Sequence, residues 1–163
     1  MNAQDAIRTT AETSAFILKT YFSDLEDAEL LESPGEGCNC LAWQLGHLIS
    51  SECHLLEMVE PGAAIELPDG FAETYSTENS KSVDKTKLHT KEEYLRLLDE
   101  VREATMASLE RTSETDLDAP SPEKFREMFP TVGHMYILLA THDMMHAGQF
   151  VPVRRKLGKA ILI

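Results

Sequence analysis

Four stretches of this chain repeat apolar residues at helical spacing, and no stretch alternates apolar and polar residues as a strand would. That pattern limits the fold more than any other feature of the sequence. The first stretch, Ala3 to Asp27, carries Ile7, Ala11, Ser14, Ile17, Leu18, Tyr21, Phe22 and Leu25 with no Pro or Gly between them. Ser33-Pro34-Gly35-Glu36-Gly37 then breaks the chain. The second helix is expected from Leu41 to Val59, capped by Asn39 and stopped by Pro61-Gly62. The third runs from Lys91 to Arg111, where Thr90 and Glu93 have the spacing of a capping box. The last runs from Thr131 to Leu157 and ends at Gly158, with Pro152 expected to kink or shorten it. The architecture these predict is all-α: an antiparallel four-helix bundle with long connections after helices two and three, Pro61 to Thr90 and Thr112 to Pro130. A polar connection as long as the first often covers a site.

The 163 residues favour a single domain, 1–163, large enough to bury about two-thirds of its unfolded surface without staples. The formal net charge of −13 disfavours nucleic acid and anionic membranes as partners. No apolar run approaches the ~20 residues that span a bilayer. Met1 to Thr13 is polar and lacks a signal peptide's apolar core. The three cysteines are too few for a disulfide scaffold, so a cytoplasmic location is expected.

The residues with the most chemical content are His142 and His146. At i and i+4 they share one helix face, one turn apart, where two imidazoles can bind one divalent ion. The spacing leaves two readings open, a metal pair or two packed histidines, although burying adjacent imidazoles without partners costs free energy. A catalytic zinc or nickel site needs a third ligand. His47 is the best candidate, because it follows Gly46 and lies beside the apolar stripe of the second helix. Asp143 points about 100° away from His142 around the helix, toward solvent or a neighbouring helix, and is not expected to ligate. Gln149 lines a pocket or packs, with packing favoured. His142-Asp143-x-x-His146 has zincin spacing with Asp in place of Glu, but no further ligand follows it, which argues against a protease.

The remaining candidates read as structural. Cys38-x-Cys40 fails zinc-ribbon spacing and reads as two loop cysteines beside a cap, and Cys53 reads as a small buried hydrophobe. His54 lies about 10 Å along the helix from His47, too far to share an ion. His89 reads as loop surface and His134 as bundle surface. Trp43 reads as core, or as one wall of a pocket.

Leu41-Ala42-Trp43-Gln44-Leu45-Gly46-His47-Leu48, taken with His142-x-x-x-His146-x-Gly148-Gln149, resembles the DinB/YfiT-like family of metalloenzymes. The resemblance implies a four-helix bundle with one histidine on the second helix and two on the last. It implies that His47, His142 and His146 hold a divalent metal ion, nickel or zinc. It also implies a small-molecule substrate, in some relatives with a low-molecular-weight thiol, and a homodimer. This chain departs from the pattern at Ala147, where many relatives carry a basic residue. The expected function is a metal-dependent enzyme that activates a water or a thiol. The alternative is a non-enzymatic metal- or small-molecule-binding bundle or interaction module.

Overall fold

A computed structural model describes residues 1–161. Four long helices form a bundle: α1 (Ala3–Phe22), α2 (Leu41–Val59), α3 (Lys91–Arg111) and α4 (Val132–Lys156). Among the described residues there is no strand, only an isolated bridge between Pro120 and Thr131.

The helix ends follow local chemistry. The Asn2 side chain caps α1, the Thr90–Glu93 capping box starts α3, and Thr131 caps α4. Two ends differ from the sequence reading. Cys40, not Asn39, occupies the cap of α2, because the Asn39 carbonyl is taken by the Gln44 side-chain amide at 3.0 Å. α1 stops at Phe22, and a separate turn, Asp27–Leu30, begins at its own Glu26–Glu29 capping box. Pro152 does not shorten α4. Gly148, whose carbonyl would have accepted the bond that Pro152 cannot donate, is exposed, so water can meet that carbonyl. Gly158, at φ 69°, closes α4 with two backbone bonds, its own N–H to Arg155 and that of Lys159 to Arg154.

Two buried clusters give the helix directions. One joins Leu18 and Phe22 to Leu45, Tyr94, Leu97 and Phe150; the other joins Ile7 and Ala11 to Leu55, Leu109, Met135 and Leu139. The end of α1 therefore meets the starts of α2 and α3 and the end of α4. α1 and α4 run one way, α2 and α3 the other. α1 packs along α4, and α2 packs against both α3 and α4. Because α2 and α3 are parallel neighbours, the segment joining them must return the length of a helix. That segment carries a helical turn at Phe71–Thr74 and a 3₁₀ turn at Lys85–Lys87, and it lies against the start of α2.

Arg154 fastens the α1 and α4 ends. Its side chain is fully buried, forks onto both Asp24 carboxylate oxygens (2.5 and 3.1 Å) and donates to the carbonyls of Tyr21 (2.8 Å) and Ala160 (2.7 Å). The hydrogen bond from Arg154 holds the Asp24 carboxyl below the usual aspartate range. A carboxyl held low stabilises the fold above its unfolded pKa, and that stability is lost as pH falls through the folded value. Asp24→Asn is therefore expected to lower the midpoint of thermal unfolding at pH 7. The gap should close only when the pH falls below about 3.9, as followed by circular dichroism across a pH series.

Candidate metal centre

His47 lies in the second turn of α2, and His142 and His146 flank the midpoint of α4. The antiparallel packing of these two helices brings all three together. Ring centroids are 5.6 Å apart for His47 and His142, 5.5 Å for His47 and His146, and 5.0 Å for His142 and His146. One nitrogen of each lies within 4.8 Å of the others, and no other described residues form a metal-binding group of this kind. Two bonds of about 2.1 Å to a shared ion span at most ~4.2 Å, so small side-chain rotations would close the set.

Two of the rings are oriented by bonds on their far side. The Gln44 amide nitrogen donates to the Asn39 carbonyl, which turns Gln44 Oε1 toward His146 Nδ1 at 3.1 Å. His146 Nδ1 must then carry the proton, leaving Nε2 as a lone-pair donor. His47 Nδ1 faces the Tyr75 carbonyl at 3.3 Å, which selects the same tautomer. Trp43 lies flat on the His47 ring, with centroids 4.9 Å apart and planes 8° apart. Trp43 is thus a core residue that backs the His47 ring. Burial, reinforced by the neighbouring imidazoles, pushes His146 down to about 3 and His142 to about 4. Burial also lowers His47, against the Tyr75 carbonyl, which favours the charged form. All three are neutral at pH 7, the state a metal ligand requires.

Gly46 is the residue that admits Tyr75. A Cβ at position 46 would lie 2.3 Å from the Tyr75 ring. The Tyr75 hydroxyl meets His89 Nδ1 and the Tyr94 hydroxyl, each at 2.7 Å. His89 is therefore half-buried between two tyrosines, not on the loop surface as its sequence neighbourhood implied. These contacts hold the crossover segment over His47.

The sequence reading missed a buried charge cluster beside the histidines. Arg102 of α3 bridges Glu52 of α2 (3.1 Å) and Asp143 of α4 (2.8 Å), and Thr105 donates to Glu52 at 2.7 Å. Asp143 thus reaches a neighbouring helix, one of the two outcomes its direction allowed. Burial and the charge of Asp143 push Glu52 up to about 7, against Arg102 and Thr105. Two signals in the sequence pointed to this cluster. Glu52 interrupts the apolar stripe of α2, and Asp143 is the single charged residue between Val132 and Val153. Gln149 is half-buried; His54 and His134 are exposed. Cys38 is exposed, Cys40 is buried, and burial pushes the Cys53 thiol up to about 12, so it is inert.

A cleft of about 800 Å³ adjoins the cluster. Of the three histidines only His47 lines it, together with Ser50, Ser51, His54, Tyr75 and Lys124 among others.

The sequence profile of the DinB superfamily matches residues 12–150. The chain belongs to the DinB superfamily. Among solved structures it is similar to YfiT from Bacillus subtilis, with a TM-score of 0.64 and 18% identity over 96% of this chain and 89% of that one. YfiT is described as a probable metal-dependent hydrolase with an unusual four-helix bundle topology. At that identity the likeness shows the shared fold. No curated protein matches the sequence. No helix among the described residues is long and apolar enough to cross a membrane.

Arg102→Met would leave two buried carboxylates without their cation. The expected cost is about 3–5 kcal/mol in urea denaturation at pH 7.5. Carboxyls raised by burial destabilise as pH rises above their unfolded values, so the cost should shrink at pH 5. An equal cost at both pH values would contradict the assignment.

Proposed function

We propose that this chain is a metal-dependent enzyme acting on a small molecule, with His47, His142 and His146 as ligands to one divalent ion. The observation that carries the proposal is the meeting of three neutral imidazoles from two helices, with the tautomers of His47 and His146 set by Tyr75 and Gln44. Three protein nitrogens that leave coordination positions open are the donor set of catalytic zinc sites, and imidazole also suits nickel. An ion held this way lowers the pKa of a water or thiol placed against it toward neutrality. The chain's own groups supply the rest. Gln44, Trp43 and the Tyr75 carbonyl fix the rings. The Ser51 hydroxyl, 3.4 Å from His47 Nε2, lies on the ligating side of that ring and would turn away from its lone pair when an ion binds. With water as the nucleophile the reaction is hydrolysis, the activity attributed to YfiT. With a low-molecular-weight thiol in the same place it is group transfer.

The metal content of untagged protein, measured by plasma mass spectrometry, tests the ligand set. Near-stoichiometric nickel or zinc is expected in the wild type and its loss in His142→Ala. Gln44→Ala should keep the site but weaken its affinity about 10- to 100-fold. Cys38→Ser with Cys40→Ser should change nothing. A wild type that stays metal-free after dialysis against both ions would leave a non-enzymatic helical binding module.

The proposed assembly is a homodimer through the outer face of α1 and α4. Phe16, Ile137 and Met145 are each at least half exposed, and Thr141 and Gly148 extend the uncharged stripe along α4. A groove of about 420 Å³ lined by Ala6, Thr10, His134, Ile137 and a single acid, Asp118, adjoins the two helices. On a chain of net charge −13, a face this poor in charge is where an identical copy approaches with least repulsion. Met145→Glu with Ile137→Lys should yield monomers in sedimentation velocity; an unchanged dimer would place the interface elsewhere.

A further inference from the structure

The cleft beside His47 has two chemically different ends. At one end are His47 and the Ser51 hydroxyl. At the other, about 10 Å along α2, the Lys124 ammonium donates to His54 Nε2 at 3.2 Å. An ammonium can only donate, so that nitrogen is the acceptor of the contact. The ammonium also lies 4.8 Å from the centre of the Phe125 ring. No carboxylate of the described residues pairs with Lys124. Ile65, Leu67 and Tyr75 are among the apolar residues that line the same cleft.

Two acids line the same cleft. Both oxygens of Glu57 accept the Gly62 N–H, at 2.9 and 3.0 Å, which turns that carboxylate to the turn after α2. Glu78 is exposed and accepts from the Thr77 hydroxyl at 3.4 Å. Neither compensates Lys124.

Resting on the reading of the histidines as a metal centre, we propose that the cleft binds an elongated small molecule, its reacting bond at His47 and a terminal carboxylate on Lys124. A single ammonium against one imidazole nitrogen matches a monoanion. A phosphate dianion would call for more positive charge than this acidic chain gathers here. The cleft volume is that of a small-molecule site. The ~10 Å span is about that of three extended peptide units. Lys124 is thus a specificity residue, away from the reacting atoms.

The test uses zinc-loaded full-length protein and calorimetric titration with hydroxamates, which chelate the ion. The probes are acetohydroxamate, suberic acid monohydroxamate, its methyl ester, and the analogue with a terminal amine. The acid should bind about fivefold more tightly than the ester, the effect of one partly solvated ion pair. Lys124→Met should abolish that preference, and Lys124→Arg should keep it. Lys124 is exposed, so neither change threatens the fold. Acetohydroxamate binding with acid and ester equal, or with the amine tightest, would overturn the carboxylate assignment alone. Failure of acetohydroxamate to bind would overturn the metal centre and this proposal together.

Discussion

The parallel pairing of α2 and α3 is the constraint on which the rest of this structure depends. Two parallel neighbours cannot be joined by a tight turn, so the chain must travel back along the bundle between them. The return segment passes over the start of α2, and Gly46 leaves room for the Tyr75 ring to lie there. The same residue then offers its carbonyl to His47 and its hydroxyl to His89 and Tyr94. A topological necessity thus becomes the support of one imidazole and one wall of the neighbouring cleft.

Charge supplies the second constraint. Three imidazoles this close cannot all be charged in a buried setting, and burial keeps them neutral. Beside them, Glu52, Arg102 and Asp143 tie α2, α3 and α4 together through one guanidinium. Removing one partner from such a cluster is costly, whereas an intact cluster adds little net stability. Its consequence here is registry: Asp143 adjoins His142 in sequence, so the bond to Arg102 fixes where the α4 histidines lie relative to α2.

The four helices were legible because each carries an apolar stripe with capping residues at its ends. The positions of His142 and His146 on one face were legible for the same reason. His47 required more than periodicity, since its place beside the α4 pair depends on which helices are neighbours. The end of α1 was misjudged because Leu25 continues the apolar spacing although a new capping box begins at Glu26. The cap of α2 was misjudged because the Asn39 carbonyl is recruited by Gln44, a contact made possible only once the helix exists. Arg102 was not legible, because a lone arginine in the strongly charged α3 looks like any solvated cation. His89 was not legible because its partner Tyr75 belongs to the crossover segment, where no repeat sets the register.

The central claim is that two supported histidines and a third, on two helices, form one ion's nitrogen ligand set. The most direct test is X-ray absorption at the zinc edge on zinc-loaded protein, for wild type and His47→Ala. The account predicts three imidazole nitrogen scatterers at about 2.0–2.1 Å in the wild type, falling to two in the variant. A sulfur scatterer near ~2.3 Å, or an unchanged shell in the variant, would contradict it.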